Sequence, residues 1–213
     1  MFEFNYKFDS QKKLTEYLIK TDALKTSAII DAFNKIDRKN FVDLSLINRA
    51  HENNALPIGY GQTISQPTTV SIMLEQLQPQ KGQSILDIGS GSGWTTALLS
   101  EIVGKKGHVI GLELISDLVK FGQQNINKYD FPQTKIIKAN QQIGLPNQQF
   151  DRILVSATSE ILPYELLDQI KPGGIMVIPI QHSIIVVSKD TNNQITKKEI
   201  PGFVFVPLIT PNN

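Results

Sequence analysis

The stretch that decides the fold reads SILDIGSGSGW and spans residues 84–94. Its first half is an apolar run typical of a buried strand, and its second half alternates glycines with serines. Glycine is needed where the backbone turns sharply or approaches a ligand without a Cβ in between. Since residues Trp94 to Val103 continue with a helical pattern, the stretch predicts a strand, a tight turn and a helix.

Strand-like and helix-like segments alternate on the C-terminal side of this turn. Such alternation implies right-handed crossovers and a mostly parallel, twisted sheet with helices on both faces, so the predicted fold class is α/β and Rossmann-like. Two late segments without a helix between them predict antiparallel strands at one sheet edge, namely 184–189 and 203–207. The alternating segments are 108–113, 116–128, 135–138, 152–156, a short helix near 163–170, and 175–180.

The residues before the turn have a different pattern. Ser10 can cap a first helix over 14–19, and 24–36 places Ile29, Ile30 and Phe33 together on a second. Residues 51–67 are rich in Gly, Pro, Asn and Gln, and long ordered loops of this kind are disproportionately functional. Pro67 can then open a third helix.

Length and composition limit the organisation and the partners. The chain has 213 residues, of which 40% are hydrophobic, and this suits one domain with one packed core. Its 21 basic and 20 acidic residues give no overall field that would attract nucleic acid. We expect one domain over 1–213, made of a helical extension (1–50), an active-site loop (51–67) and a cofactor-binding core with C-terminal strands (68–213).

Cysteine and histidine usage bears on metals and on location. The chain has no cysteine, which excludes disulfides, thiolate metal sites and a cysteine nucleophile, and its histidines are scattered. We therefore expect no metal. No apolar run approaches the roughly 20 residues of a membrane span, and the N-terminus lacks the pattern of a secretory signal. A cytoplasmic monomer without membrane or nucleic-acid partners is expected.

The glycine turn and an acid after it predict the cofactor. Glu113 follows Gly93 by twenty residues at the end of the next predicted strand, where a carboxylate can accept both hydroxyls of a ribose. The spacing of Gly89, Gly91 and Gly93 is not the dinucleotide fingerprint, and no Lys-Ser or Lys-Thr pair follows to hold a triphosphate. Asp87 suits a cationic group such as the ammonium of a methionine moiety. The pattern favours S-adenosyl-L-methionine, with S-adenosyl-L-homocysteine as the product.

Residues 55–67 read ALPIGYGQTISQP, which resembles the signature LPIGxGQTISQP of the protein-L-isoaspartate carboxyl methyltransferases. The resemblance continues at 36–42, at the glycine turn, at 150–153, at 167–174 and at 205–208, and so covers nearly the whole chain. It implies a class I methyltransferase fold. It also implies methyl transfer to the free carboxylate of L-isoaspartyl, and possibly D-aspartyl, residues in damaged peptides and proteins, with repair through a succinimide.

The same resemblance implies the site residues. It places Ser65 at the active-site position, and the absence of an Asp-His relay favours a hydrogen-bonding role over a nucleophilic one. It implies that the following residues contact the substrate: Ile58, Gly59, Thr63, Ile64, Phe205, Val206 and Pro207. The cofactor-binding set expected from the turn and the resemblance together is Asp87, Gly89, Ser90, Gly91, Ser92, Gly93, Glu113, Leu114, Asn140 and Gln141.

Three positions depart from the family pattern. Family members usually carry Gly-Asp-Gly where this chain has Ala139-Asn140-Gln141, so we expect cofactor binding weaker by about 1 kcal/mol. An acidic residue of the family is replaced by Asn53, and a Gly and a Gln are missing around Gln181. Two alternatives stay open: a same-fold methyltransferase with another carboxylate, a small molecule or RNA as acceptor, and a catalytically silent module that binds S-adenosylmethionine and recognises peptides.

Overall fold

The computed structural model describes residues 6–140 and 142–208. Its α-helices are α1 (Gln11–Lys20), α2 (Ser27–Lys35), α3 (Pro67–Leu77), α4 (Trp94–Val103) and α5 (Ser116–Ile126). Its strands are β1 (Leu56–Gly59), β2 (Gln62–Ile64), β3 (Ser84–Ile88), β4 (His108–Glu113), β5 (Thr134–Lys138), β6 (Phe150–Val155), β7 (Ile170–Ile180), β8 (Ser183–Lys189) and β9 (Ile195–Pro201). Short 3-10 helices span Arg38–Phe41, Leu44–Arg49 and Tyr164–Leu166.

The central sheet has seven strands in the order β5-β4-β3-β6-β7-β8-β9. The pairs that join β5, β4, β3, β6 and β7 are parallel. Strands β8 and β9 add to β7 in antiparallel fashion. The chain moves outward from β3 in both directions, so the strand order reverses beside β3 and a crevice opens at the C-terminal ends of the strands. The predicted α/β class with antiparallel C-terminal strands is confirmed.

The two faces of the sheet are covered differently. Apolar residues of α1 to α4 join one core cluster with alternate residues of the strands, and Ile126 of α5 belongs to the same cluster. The opposite cluster contains Leu86 and Ile88 of β3 packed with Leu162 and Leu166. The helix predicted near 163–170 is a single 3-10 turn over Tyr164–Leu166.

The N-terminal helices form as the sequence predicts. Ser10 caps α1, because its Oγ accepts a hydrogen bond from the Lys13 amide at 3.3 Å. In α2, Ile29 and Phe33 are fully buried, whereas Ile30 is half-buried. This extension packs on the sheet through contacts between α2 and α4 and between α1 and α3.

Two stretches differ from the prediction. The loop 51–67 contains an antiparallel hairpin of β1 and β2, whose tip is Gly59-Tyr60-Gly61 with positive φ at all three residues. The strand predicted at 203–207 is wrong: this segment is irregular, and it forms an isolated bridge between Pro207 and Thr158 in place of a strand ladder. Pro201 and Gly202 before the segment, the latter at φ +99°, and Pro207 at its end disfavour a regular ladder. The last strand is the earlier and more polar β9.

No helix within residues 6–140 and 142–208 has the length and the apolar character that a membrane crossing requires. The same residues contain no group of three or more His, Asp or Glu side chains arranged to hold a metal ion.

Candidate functional site

The glycine turn lies between β3 and α4, at the C-terminal edge of the sheet. Gly89, Gly91 and Gly93 all have positive φ, between +51° and +87°. A Cβ on Gly93 would lie 3.0 Å from Ile136 Cδ1 and 3.1 Å from the carbonyl oxygen of Gly122. The turn therefore depends on glycine both for its backbone conformation and for its close packing.

A cavity of about 350 Å³ opens beside this turn, a size suited to a nucleoside-type ligand. Residues of the hairpin, of the glycine turn and of the ends of β4, β5 and β6 line it. A Cβ on Gly91 would come within 3.1 Å of Ile58 Cδ1, so the hairpin packs directly on the turn. The cavity thus has a wall from the sheet and a wall from the hairpin.

Glu113 closes the sheet side of the cavity and is 6% exposed. Its Oε2 accepts a hydrogen bond from the Gly91 amide at 2.9 Å, and its Oε1 accepts one from the Ile115 amide at 2.9 Å. These bonds fix the orientation of the carboxylate. Each oxygen keeps a further lone pair, which allows the pair to accept two vicinal hydroxyl groups.

Asp87 lies behind the turn, fully buried, and does not line the cavity. Its Oδ2 accepts hydrogen bonds from the hydroxyls of Thr95 and Thr96, at 2.8 and 2.6 Å. Its Oδ1 has no hydrogen-bond partner within the part of the chain that the structure describes. Burial raises the pKa of Asp87 to about 6, against the effect of the two hydroxyls, and the charge of Glu113 raises it further. An unpaired buried carboxylate oxygen suits a cationic ligand group.

The hairpin side carries the residues expected at the acceptor. Thr63, Ile64 and Ser65 all line the cavity. Gln66 is the N-cap residue of α3, and the Ser65 hydroxyl makes no hydrogen bond to any described residue. The hydroxyl therefore keeps its donor for a ligand.

Asn53, which replaces an acidic residue of the family pattern, contacts the start of α3. Its Oδ1 accepts hydrogen bonds from both the amide and the hydroxyl of Thr68, each at 3.0 Å. It therefore caps the first turn of α3, and an amide oxygen can do this as well as a carboxylate can. Gln181 lies in the turn between β7 and β8 at φ +52°, outside the cavity lining.

The cavity brings together most of the residues expected from the sequence. Asp87, Gly93, Gly59 and Phe205 do not line it, and Gln141 lies outside the described residues. Phe205 instead packs against the first core cluster. The expected residues in the lining are Ile58, Thr63, Ile64, Ser65, Gly89, Ser90, Gly91, Ser92, Glu113, Leu114, Asn140, Val206 and Pro207.

Asn140 is at the cavity, but its side chain is partly engaged. Its Oδ1 accepts a hydrogen bond from the Gln142 amide at 2.9 Å, in a local turn. Only one lone pair of this oxygen is then left for a ligand amino group. The weaker cofactor contact expected at this position stays a prediction.

Sequence reasoning missed several residues of the lining. Ser156 and Ala157 follow β6, and the rule that parallel strands end at one edge would have identified them. Ile143 and Gly144 gave no local signal, because the buried Gln169 holds their segment from a distance. Its Nε2 donates to the Ile143 carbonyl at 3.0 Å, and its Oε1 accepts from the Leu145 amide at 2.7 Å.

Comparison with known proteins gives consistent matches. A protein-L-isoaspartate O-methyltransferase of Methanopyrus kandleri is 36% identical over 206 residues, which cover 94% of this chain and 91% of the relative. One from Fervidobacterium nodosum is 38% identical, over 84% of this chain and 92% of the relative.

Among solved structures, a Plasmodium falciparum protein described as a protein-L-isoaspartate O-methyltransferase, in complex with S-adenosyl-L-homocysteine, is similar with a TM-score of 0.84. It is 26% identical, and the match covers 95% of this chain and 99% of that one. The family profile described as Protein-L-isoaspartate(D-aspartate) O-methyltransferase matches residues 9–213. The chain belongs to the protein-L-isoaspartate (D-aspartate) O-methyltransferase family.

Proposed function

We propose that the chain transfers a methyl group from S-adenosylmethionine to the free carboxylate of L-isoaspartyl residues in proteins and peptides. One observation carries the proposal: a single cavity joins the Glu113 carboxylate and the glycine turn to the free hydroxyl of Ser65. The Glu113 carboxylate and the glycine turn fit an adenosine that carries a cationic methionine group, and the Ser65 hydroxyl fits an anionic acceptor. Membership of the family supports the assignment.

The residues present fit the cofactor. The glycines leave backbone without Cβ at the cavity wall, and Glu113 presents two oriented oxygens for a ribose. The unpaired Oδ1 of Asp87, buried behind the turn, suits an ammonium group that it reaches through an intervening water. S-adenosylmethionine, when bound, supplies a methyl group activated by its sulfonium sulfur.

The chain itself does mainly positioning. An isoaspartyl carboxylate has a pKa near 4 and is ionised at neutral pH, so no general base is needed. We propose that the Ser65 hydroxyl donates to one carboxylate oxygen, while Thr63 and the backbone amides of the hairpin bind the other. In-line placement at near-attack distance can contribute on the order of 7 to 11 kcal/mol. The hairpin also excludes water from the acceptor, which strengthens these hydrogen bonds.

The test is a labelling experiment with two peptides that differ only in Asp versus isoAsp. Purified protein and S-adenosylmethionine labelled on its methyl group should label the isoAsp peptide alone, with loss of the label as the ester collapses to succinimide. Ser65→Ala should retain cofactor binding and lose on the order of 10-fold to 100-fold in turnover, because one oriented donor is removed. Equal labelling of the two peptides would reject the repair function.

Other features of the proposal remain predictions. Action on D-aspartyl sites, a monomeric state, a cytoplasmic location and the absence of a nucleic-acid partner were expected from the sequence. A silent binding module would bind the cofactor without turnover on any isoaspartyl peptide. A same-fold enzyme with another acceptor would label a different carboxylate, small molecule or RNA. The same assay, extended to those acceptors, separates the three.

A further inference from the structure

Arg38 is a charged side chain with 0% exposure, and it does not line the cavity. It begins the 3-10 helix Arg38–Phe41 in the N-terminal extension. No Asp or Glu of the described chain lies within ion-pair distance of it. Burial lowers the pKa of Arg38 to about 9, against the opposing effect of the more distant Glu52 charge, so the guanidinium is still charged at neutral pH. A charge that is buried without a carboxylate partner is costly, and its hydrogen bonds indicate what compensates it.

The guanidinium is held by backbone carbonyl groups. One terminal nitrogen, Nη1, donates to the carbonyls of Ala50 at 2.8 Å and Glu52 at 3.2 Å. The other, Nη2, donates to the carbonyl of Asn54 at 2.8 Å and also to two carbonyls at the far end of the hairpin. The carbonyls of Ala50, Glu52 and Asn54 all belong to the segment that precedes β1. Nη1 and, in part, Nη2 therefore hold the segment that leads into the hairpin.

The exit from the hairpin is held by the same nitrogen. Nη2 donates to the carbonyl of Ser65 at 3.1 Å and to that of Ile64 at 3.3 Å. Asn54 and Ser65 therefore share one guanidinium nitrogen, although the whole hairpin lies between them. A planar fork of donors can hold two chain segments in a fixed relation, which a flexible ammonium cannot.

The guanidinium also contacts the cofactor side of the cavity. Its Cζ lies 5.2 Å from the centroid of the Trp94 ring, in a cation–π arrangement. Trp94 is the first residue of α4, directly after the glycine turn, and it lines the cavity. Arg38 thus bridges the hairpin that carries Ser65 and the element that follows the cofactor turn, without itself lining the cavity.

We propose that Arg38 is a positioning residue for methyl transfer. Its guanidinium fixes both ends of the β1–β2 hairpin relative to Trp94 and so sets the distance from the acceptor at Ser65 to the cofactor. This inference rests on the proposed function. It also gives the N-terminal extension a role in the reaction, since the extension supplies the guanidinium.

The test separates kcat from cofactor binding in Arg38→Lys and Arg38→Met. Displacing a reacting group by about 1 Å can cost on the order of 100-fold in rate. We expect kcat on an isoAsp peptide to fall about 100-fold in Arg38→Met and less in Arg38→Lys. The dissociation constant of S-adenosylhomocysteine should change by no more than about three-fold, because the ribose and turn contacts are intact.

Arg152→Met is the matched control. Arg152 is also buried, at 7% exposure, and donates to the carbonyls of Gln78 and Asp151. It lies near the N-terminal end of β6, whereas the cavity is at the opposite ends of the strands. Its replacement should lower the unfolding temperature and leave kcat within about two-fold of wild type, because core replacements away from a site act on stability.

Each outcome decides between a positioning role and a purely architectural one. A folded Arg38→Lys or Arg38→Met protein with kcat within two-fold of wild type would overturn the proposal. So would equal losses in kcat and cofactor affinity, or failure of both variants to fold while Arg152→Met folds. Wild-type protein is assayed first: absence of turnover there rejects the proposed function itself, independently of Arg38.

Discussion

The two walls of the cavity are built in different ways. The sheet wall comes from short, nearly continuous segments, the glycine turn and the end of β4, and its Gly91 and Gly93 lie where a Cβ would crowd neighbouring atoms. The hairpin wall lies outside the seven-stranded sheet, and side chains distant in sequence hold it: Arg38 at its base and Asp117 at its tip. The sheet wall is therefore formed by residues that are close together in the sequence, whereas the hairpin wall is held in place by residues that only the fold brings together.

The largest effect within the sheet wall is expected for Glu113→Gln. The substitution keeps one oxygen and places an NH₂ group against a backbone N–H, of Gly91 or of Ile115, that the carboxylate now satisfies. Loss of a hydrogen bond to a charged group costs roughly 2 kcal/mol, or about 30-fold in the dissociation constant of S-adenosylhomocysteine. Titration calorimetry measures this change in the dissociation constant.

Glu101→Gln is the control for this substitution. Glu101 lies on α4 and pairs with Lys35 at 2.8 Å, away from the cavity. Its replacement should leave cofactor affinity unchanged. If Glu113→Gln bound as tightly as Glu101→Gln, the sheet wall would not hold the ribose.

We expect pH to have an intermediate effect on cofactor affinity through Asp87, whose pKa is raised to about 6 chiefly by burial. A bound ammonium group favours the carboxylate, so protonation opposes binding. Cofactor affinity should be flat above pH 7 and should fall below pH 6 by up to about 10-fold per pH unit. In Asp87→Asn the affinity should be weaker and lack this dependence.

The stability of the protein without cofactor should change with pH in the opposite sense to its cofactor affinity. Because the folded pKa of Asp87 lies above its ordinary value of 3.8, its contribution to stability is greatest at low pH and is lost as pH rises from about 4 to about 6. The loss is at most about 3 kcal/mol. Urea unfolding of wild type and Asp87→Asn across this window measures it, and parallel curves for the two proteins would contradict the assignment.

The smallest effect is expected at the hairpin tip. The hydroxyl of Tyr60 donates to Asp117 Oδ2 at 2.6 Å, which joins the tip to the first turn of α5 and raises the pKa of Tyr60 while lowering that of Asp117. Both groups are exposed, so the contact is weak. Tyr60→Phe and Asp117→Ala, which remove the donor and the acceptor, should each speed cofactor dissociation by about two- to three-fold.

A variant that combines the Tyr60 and Asp117 substitutions tests whether their hydrogen bond acts as a latch, that is, whether it holds the hairpin tip against α5. If the hydrogen bond holds the hairpin closed, the double variant should dissociate no faster than either single one. Tyr164→Phe, at another exposed tyrosine, is the control and should behave as wild type. Additive effects of the two substitutions in stopped-flow experiments would remove the latch.

The sequence predicted the sheet wall well because its signals are local. Apolar strand, glycine spacing and acid all lie in two consecutive strand-turn units, and periodicity identifies such units. The last strand was missed for the opposite reason. The segment Thr196-Lys197-Lys198-Glu199 is polar and exposed, and only pairing with β8 makes it a strand. The aromatic segment 203–207 has the better strand composition and forms none.

Arg38 shows why the residues that hold the hairpin wall in place escaped prediction, although the residues that line it were expected. In the sequence it stands among Asp37, Lys39 and Asn40, and such a run is typical of a solvated surface. Asp37 and Lys39 do remain partly exposed, whereas the guanidinium between them is fully buried. What distinguishes it is a set of carbonyl groups supplied by residues up to 27 positions later, and no local pattern contains them.

The polar character of β9 has a consequence for association. A seven-stranded open sheet has two edges, here β5 and β9, and each offers unpaired backbone groups to another strand. β5 carries Lys135 and Lys138 exposed, and β9 carries Lys197 and Lys198 exposed. Bringing two such edges together would place ammonium groups side by side and strip their hydration. The polar, lysine-bearing sequence of β9, which made this strand hard to predict, thus also disfavours edge-to-edge aggregation of the sheet.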